Sequence, residues 1–274
     1  MGRFRIACHL ILFWNLPNEG RQEIVLEEAF ASVARAGYEG VEGVQVASAD
    51  DLVEKAVLAR KYGLQIVNTG APDNDTRFKY NVTLGNRASG LRELTKRPFG
   101  APQRFRSHLT DEQWQRVADE LRPVARRAVE LGVKPFHHSH MGQVIETVQD
   151  ARRLLGLVPE LTLLFDCGHL AAAGSDPRDA LRDPALRTRI GHVHLKDTWV
   201  GEGKPAPGHG TDERYWHFEE LGRGNVGTDF AALLSDLDAT GYDGWVSVEQ
   251  DRPTAHEPEE AARLNREFLK RLGY

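Results

Sequence analysis

The sequence has few cysteines and no long apolar segment. Only 2 of its 274 residues are cysteines, and Cys8 and Cys167 lie far apart along the chain. Because disulfides form mainly in oxidising compartments, this usage favours a reducing one. No stretch approaches the roughly 20 apolar residues that a membrane-spanning helix needs. We therefore expect a cytoplasmic protein that does not bind membranes.

An excess of positive charge is also missing. The chain has 35 Lys and Arg residues against 40 Asp and Glu residues, which gives a formal net charge of −5 at pH 7. Proteins that bind nucleic acids usually present a basic surface, so we expect no nucleic-acid partner. Hydrophobic residues make up 41% of the chain and charged residues 27%. These proportions are typical of a globular protein with a large core.

Several motifs of nucleophilic and cofactor-dependent enzymes are absent or incomplete. There is no Gly-x-Ser-x-Gly elbow and no Cys-x-x-Cys pair. Gly222-Arg-Gly-Asn-Val-Gly227 matches the dinucleotide-binding pattern, but residues 216–221 lack the strand character that must precede this motif. We interpret it as a tight loop that leads into a helix. Cys167 lies beside Asp166 and near His169, yet a small buried residue is favoured over a thiolate catalyst.

Short apolar segments alternate with helical patterns along the chain. The predicted strands are 3–12, 40–44, 64–69, 78–84, 133–138, 161–166, 190–196 and 245–249. The predicted helices are 23–36, 49–62, 110–131, 147–155, 178–187, 229–240 and 258–272. Residues 85–110 and 199–217 are predicted to be long loops, the first of them over the active-site face. Eight strands alternating with helices predict a single-domain α/β protein, a (β/α)8 TIM barrel, over residues 1–274.

Carboxylates and imidazoles occur where several predicted strands end, and a barrel of this kind has its active site at the carboxyl ends of its strands. These polar residues are Glu42, His140, Glu146, Asp166, His169, His192, His194, Lys196, Glu249 and Asp251. Carboxylate and imidazole groups are common ligands of divalent cations. The two-residue period of a strand places His192, His194 and Lys196 on one face. Because a lysine is costly to bury without polar partners, this row predicts a polar site rather than core packing.

Five segments resemble one known family. They are His108-Leu-Thr-Asp-Glu-Gln-Trp, His138-Ser-His-Met-Gly-Gln-Val-Ile-Glu-Thr, Leu164-Phe-Asp-Cys-Gly-His, His192-Val-His-Leu-Lys-Asp and Tyr242-Asp-Gly-Trp-Val-Ser-Val-Glu-Gln-Asp. As a set they are similar to the xylose-isomerase-like superfamily of sugar phosphate isomerases and epimerases, and they look most like its inosose dehydratase branch. The usual Asp-Thr-Gly-His of the family is Asp-Cys-Gly-His here.

The resemblance implies a metal site and a set of substrate contacts. The implied metal ligands are Glu146, Asp166, His194 and Glu249. The implied ion is Mn²⁺, with Mg²⁺, Co²⁺ and Zn²⁺ as alternatives. The expected substrate contacts are His140, His169, Lys196 and Glu42.

The chemistry implied by the resemblance is removal of a proton next to a carbonyl group, which gives an enediolate. Glu146 or Glu249 would act as the catalytic base, and His169 or Lys196 would donate hydrogen bonds or carry protons. Return of a proton isomerises or epimerises a sugar, a ketose or a sugar phosphate, and this is the leading expectation. Loss of a β-hydroxyl instead would make the chain a lyase of the inosose dehydratase type.

Two other classes stay open. A nuclease similar to endonuclease IV would need further zinc ligands, for which His209, Asp212 and His217 are candidates. The acidic net charge and the poor spacing of these residues argue against this class. The other class is a barrel that binds a ligand without catalysis. We expect the partner to be a small sugar or cyclic polyol, and many members of the family are homo-oligomers.

Overall fold

The chain folds around one eight-stranded parallel sheet. The computed structural model describes residues 4–16, 20–21, 25–91, 109–201 and 215–274. The strands in chain order are β1 Arg5–His9, β2 Asn15–Leu16, β3 Gly20–Arg21, β4 Gly40–Glu42, β5 Gln65–Val67, β6 Ala88–Gly90, β7 Lys134–His138, β8 Thr162–Asp166, β9 Ile190–Leu195, β10 Asp197–Gly201, β11 Tyr215–Glu219 and β12 Trp245–Val248. The helices are α1 Ile11–Trp14, α2 Leu26–Ala36, α3 Ala49–Lys61, α4 Asn74–Thr83, α5 Asp111–Glu130, α6 Val148–Leu157, α7 Cys167–Ala172, α8 Arg178–Arg182, α9 Phe230–Ala239 and α10 Pro258–Arg271.

The strands of the large sheet follow the order β5-β4-β1-β12-β9-β8-β7-β6. Every neighbouring pair in this order is parallel. Strands covered by helices on the outside are buried on both faces, and β4 and β12 are buried at every position. The predicted (β/α)8 barrel is confirmed.

Side chains join the two end strands of this sheet, β5 and β6, which are not neighbours in its backbone ladder. Asn68 follows β5, and its Oδ1 accepts a hydrogen bond from the Gly90 N–H at 3.0 Å. Asn86 precedes β6 and donates to the Ile66 carbonyl oxygen at 3.2 Å and to Asn81 Oδ1 at 2.9 Å. Because buried backbone groups need partners, these amides replace the ladder where the barrel closes.

Apolar spacing and capping residues explain the outer helices. Trp114, Val117 and Leu121 lie three and four residues apart on α5, and all three are buried against the sheet side of the helix. The helix begins with a capping box, in which Thr110 Oγ1 accepts from the Gln113 N–H and Gln113 Oε1 accepts from the Thr110 N–H. Caps of this kind fix where a helix begins.

The prediction of a strand at 78–84 is wrong, because these residues belong mainly to helix α4. The Asp73 side chain caps that helix by accepting from the Thr76 N–H at 2.9 Å. Phe78 and Asn81 are buried three residues apart, which is a helical spacing. The fourth barrel strand is instead β6, inside the segment predicted to be a loop. Residues 92–108 of that segment lie outside the described residues.

The second predicted loop, 199–217, is also partly strand. β10 and β11 pair antiparallel, with Trp199 opposite His217. Buried and half-buried residues alternate along β11, so the expectation that 216–221 lacks strand character is wrong for residues 216–219. Residues 202–214, between these strands, lie outside the described residues.

The first predicted strand is too long, because β1 ends at His9 and α1 follows it. Residue 3 of that strand and residues 23–24 of the first predicted helix lie outside the described residues. Within the described ranges, no helix combines the length and the apolar character that crossing a membrane requires.

Replacing Asn86 by alanine should destabilise the protein, because the Ile66 carbonyl oxygen and Asn81 Oδ1 each lose a buried donor. We expect the free energy of unfolding to fall by about 1–3 kcal/mol in urea denaturation. Gln115→Ala is the matched control, since Gln115 bonds Asp119 at an exposed position on α5; its effect should stay within about 0.5 kcal/mol. Equal effects of the two changes would contradict a closing function for Asn86.

Candidate functional site

The ends of three neighbouring strands bring a carboxylate, an imidazole and a second carboxylate together. Asp166 on β8 lies directly opposite His194 on β9, and His194 lies opposite Ser247 on β12. Glu249 comes two residues after Ser247, and its N–H donates to the Leu195 carbonyl oxygen at 3.0 Å. Because side chains two residues apart on a strand share a face, the register places all three groups at one mouth of the barrel.

The ligand atoms of Asp166, His194 and Glu249 lie within 4.8 Å of one another, and all three residues are buried. His194 Nδ1 is 2.5 Å from Glu249 Oε2 and 3.5 Å from Asp166 Oδ2. The Lys196 ammonium lies 3.1 Å from the same Glu249 oxygen, so positive charge already faces one side of the group. A ring nitrogen that faces two buried carboxylate oxygens suits a cation that all three groups contact. One imidazole nitrogen and two carboxylates form a donor set that Mn²⁺ and Zn²⁺ accept.

Glu146, the fourth expected ligand, is buried in the loop between β7 and α6. Its Oε2 accepts a hydrogen bond from the Gly142 N–H at 3.0 Å. The capping box of Thr147 and Asp150 follows at once and fixes the backbone next to Glu146. Among the described residues, Glu146 belongs to none of the groups of three whose ligand atoms lie within 4.8 Å. The structure thus brings three of the four expected ligands together.

Lys196 is the buried cation of the site, with 2% of its surface exposed. Its Nζ is 2.8 Å from Asp251 Oδ1, 3.1 Å from Glu249 Oε2 and 3.0 Å from His169 Nε2. Burial alone would lower the pKa of this ammonium group, but Asp251, Glu249 and Asp166 raise it above its usual value. Lys196 therefore stays charged and acts as a hydrogen-bond donor.

His169 is neutral, and its hydrogen bonds define its tautomer. Burial, followed by the neighbouring His140 and Lys196, lowers the pKa of His169 well below its usual value. Since the Lys196 ammonium donates to Nε2, the ring proton lies on Nδ1. That Nδ1 has no hydrogen-bond partner among the described residues. The ring centroids of His140 and His169 are 3.7 Å apart, so these two expected substrate contacts form one wall.

Glu42, also expected to contact substrate, lies against side chains of the barrel interior. Its Oε2 is 2.7 Å from His192 Nε2 and 3.2 Å from His194 Nε2, and its Oε1 accepts from Asn68 Nδ2 at 2.7 Å. Burial would raise the pKa of Glu42, but His192 and His194 hold it well below its usual range. With both oxygens engaged and 1% of its surface exposed, Glu42 is placed behind His194.

Sequence reasoning missed two imidazoles next to the cluster. His9 ends β1, and its Nε2 is 3.8 Å from Glu249 Oε1 while its Nδ1 accepts from the Ile11 N–H. His138 ends β7, with Nε2 3.1 Å from Asp166 Oδ2. Both obey the rule that site residues sit where strands end. The overlong first predicted strand concealed the position of His9.

Cys167 is a core residue rather than a nucleophile. It is fully buried, and its Sγ lies 3.3 Å from the Lys196 carbonyl oxygen, to which it donates. Burial raises the pKa of its thiol far above the usual value, with Asp166 adding to the shift. A thiolate is the reactive form of cysteine, so this environment opposes catalysis by Cys167.

The Gly-x-Gly-x-x-Gly loop at 222–227 holds an anion that belongs to the chain itself. The buried Asp197 carboxylate accepts from the Gly222 N–H at 2.7 Å and from the Gly224 N–H at 2.9 Å. A Cβ at Gly224 would collide with Asp197 and with the Thr198 carbonyl oxygen. The glycines therefore let the backbone close around a side chain, which explains the motif without a dinucleotide.

The structure describes only one of the three residues that are candidate zinc ligands of a nuclease. His217 pairs with Glu219 on β11, at 2.7 Å. His209 and Asp212 lie outside the described residues.

The fold and the site together define a (β/α)8 barrel with a buried carboxylate and imidazole cluster at the carboxyl ends of its strands. The family model described as Xylose isomerase-like TIM barrel matches residues 30–272. The chain belongs to this family.

Relatives and solved structures agree with this assignment. The rhizopine catabolism protein MocC of Rhizobium meliloti is 31% identical over 302 residues, covering 98% of this chain and 88% of the relative. An inosose dehydratase of Lacticaseibacillus casei is 31% identical over 285 residues, covering 93% of this chain and 92% of the relative.

Two solved structures share the fold at low sequence identity. An L-ribulose 3-epimerase has a TM-score of 0.70 at 19% identity, covering 98% of this chain and 94% of its own. The IOLI protein, solved with a zinc atom bound, has a TM-score of 0.66 at 18% identity, covering 98% of both chains.

Proposed function

We propose that this chain is a divalent-metal-dependent enzyme that removes a proton next to the carbonyl group of a cyclic polyol or sugar. The observation that carries the proposal is the buried group of Asp166, His194 and Glu249, with ligand atoms within 4.8 Å of one another. Carboxylates buried this close together need compensating positive charge. We propose Mn²⁺ as the resident ion, with Glu146 as its fourth ligand.

When bound, such an ion would act as a Lewis acid that polarises the substrate carbonyl and makes the neighbouring C–H more acidic. The chain itself has to accept that proton and to hold the substrate. Glu146 and Glu249 are the two carboxylates that we propose for proton transfer, since both are buried, Glu249 directly after β12 and Glu146 in the loop that follows β7.

Lys196 and His169 would orient the substrate oxygens. The Lys196 ammonium lies between Glu249 and His169, at 3.1 and 3.0 Å. Its charge therefore faces both the proposed metal ligands and the wall that His169 forms with His140. The Nδ1–H of His169 has no acceptor among the described residues, which supports donation to a substrate hydroxyl. The His140 ring packs against that ring at a tilt of 34°, which limits its rotation. A donor that is held in place before the substrate binds loses little entropy on binding.

Dehydration is the outcome that we favour. A relative named inosose dehydratase is 31% identical over 93% of this chain, which supports a keto-inositol as substrate and water as the leaving group. Isomerisation or epimerisation is the second candidate. It shares the first proton transfer, and the two buried carboxylates Glu146 and Glu249 support it because one could remove a proton and the other return it.

Incubation of the purified protein with 2-keto-myo-inositol and Mn²⁺ tests this function. We expect mass spectrometry to detect a product that has lost one water, and we expect EDTA to stop its formation. A product of unchanged mass with an inverted stereocentre would replace dehydration by epimerisation. Turnover that survives complete metal removal would contradict the proposed centre.

Glu249→Gln should lower turnover by at least about 10²-fold, because the amide keeps the volume of the side chain but neither binds a cation as well nor accepts a proton. Circular dichroism should show an unchanged fold. Glu160→Gln is the matched control, since Glu160 pairs with Arg126 on the surface, away from the cluster. Wild-type turnover in Glu249→Gln would remove Glu249 from the mechanism.

A further inference from the structure

The two ring nitrogens of His194 face different groups. Nδ1 faces Glu249 Oε2 at 2.5 Å and Asp166 Oδ2 at 3.5 Å, while Nε2 faces Glu42 Oε2 at 3.2 Å. We propose that Glu42 is a positioning residue, which holds the His194 ring proton on Nε2 and leaves the Nδ1 lone pair for the metal ion. The inference rests on the proposed function, because it assumes that the cluster binds a divalent cation.

A neutral imidazole has one N–H and one lone pair, so the acceptor that takes the N–H decides which nitrogen can bind a cation. Glu42 is the acceptor on the Nε2 side. A carboxylate behind a ligating histidine fixes its tautomer and its orientation, and it makes the ring a better electron donor. Glu42 does not need to contact the substrate or the metal ion to have this effect.

Glu42 is held in turn from two other directions. His192 donates to the same Oε2 at 2.7 Å, and its ring stacks on Phe136 with centroids 5.1 Å apart. Asn68 donates from Nδ2 to Oε1 at 2.7 Å. Both carboxylate oxygens are therefore engaged, which leaves the Glu42 side chain one orientation.

The Asn68 amide cannot be reversed without losing contacts. Its Oδ1 accepts the Gly90 N–H at 3.0 Å, so its Nδ2 must face Glu42. Its backbone has a φ of 44°, a left-handed conformation that asparagine and aspartate tolerate better than most residues. The amide that joins β5 to β6 thus also orients the carboxylate behind His194.

The group Glu42, His192 and His194 could in principle bind an ion of its own, since its ligand atoms also lie within 4.8 Å of one another. His192 Nε2 and His194 Nε2 both make hydrogen bonds to Glu42 Oε2, however, in contrast to the Nδ1 side of His194. Because the hydrogen bonds within this group are complete, a positioning function of Glu42 is favoured over a second metal site. The number of metal ions bound per chain distinguishes these two possibilities.

The test uses a charge swap between neighbouring residues. Glu42→Gln removes the charge and turns an NH₂ group toward the Asn68 donor. Adding Asn68→Asp supplies an acceptor there, so the double variant keeps the hydrogen bonds and the net charge but leaves a neutral amide behind His194. The matched control is Asp197→Asn, a buried carboxylate near the site that accepts from the backbone N–H groups of Gly222 and Gly224.

Zn²⁺ alone is the probe, measured by competition with a chromophoric chelator. We expect one Zn²⁺ per wild-type chain and about 10–100-fold weaker binding in Glu42→Gln and in the double variant. Asp197→Asn should lower thermal stability but leave Zn²⁺ affinity within about twofold of wild type. In the Zn²⁺-loaded protein, the His194 Nε2–H proton resonance should move upfield in the double variant as its hydrogen bond weakens.

Each result separates the two proposals. Wild-type affinity and an unshifted resonance in the double variant would overturn the inference about Glu42 alone. Two Zn²⁺ per wild-type chain, falling to one in Glu42→Gln, would replace it with a second metal site. A wild-type chain that binds no Zn²⁺ would overturn both this inference and the proposed metal centre.

Discussion

Burial of three carboxylates around one imidazole is the constraint on which the site depends. Asp166, Glu249 and Glu42 all lie within 3.5 Å of a ring nitrogen of His194, inside the barrel. Two like charges about 4 Å apart repel by roughly 4 kcal/mol at the effective dielectric of a partly shielded site. Lys196 offsets part of this repulsion at the Glu249 side, and hydrogen bonds from His192 and Asn68 stabilise Glu42. A divalent cation against Asp166, His194 and Glu249 would balance the remainder.

Some of the residues that close the barrel also hold the side chains of the site in place. The Asn68 side chain accepts from the Gly90 N–H on β6 and donates to the Glu42 carboxylate. One amide therefore links the two end strands of the sheet and also orients the carboxylate that contacts His194. Asp197 ties the glycine loop to the start of β10, directly after Lys196. Because these contacts are buried, a substitution at Asn68 should also change the orientation of the His194 ring.

Much of the site follows from two sequence rules, the two-residue period of a strand and the location of active sites at strand ends. These rules are enough to place Asp166, His194 and Lys196 near one another, since Asp166 ends β8 and the other two lie at the carboxyl end of β9. They fail where the strand signal is short. β6 consists of Ala88, Ser89 and Gly90, which carry little apolar character. It is linked to β5 through the side chains of Asn68 and Asn86, and no local pattern reveals these contacts. Glu42 ends a strand of three residues, and only the packed barrel shows that its carboxylate faces His192 and His194.

The most direct test of the account is a crystal structure of the protein grown with Mn²⁺ or Zn²⁺, with the ion located by anomalous scattering. The account predicts one peak, at about 2.0–2.2 Å from Asp166 Oδ2, His194 Nδ1 and Glu249 Oε2. A peak between Glu42, His192 and His194, or between His138, Asp166 and His169, would contradict it, because those neighbouring groups offer the same kinds of ligand atom in different places.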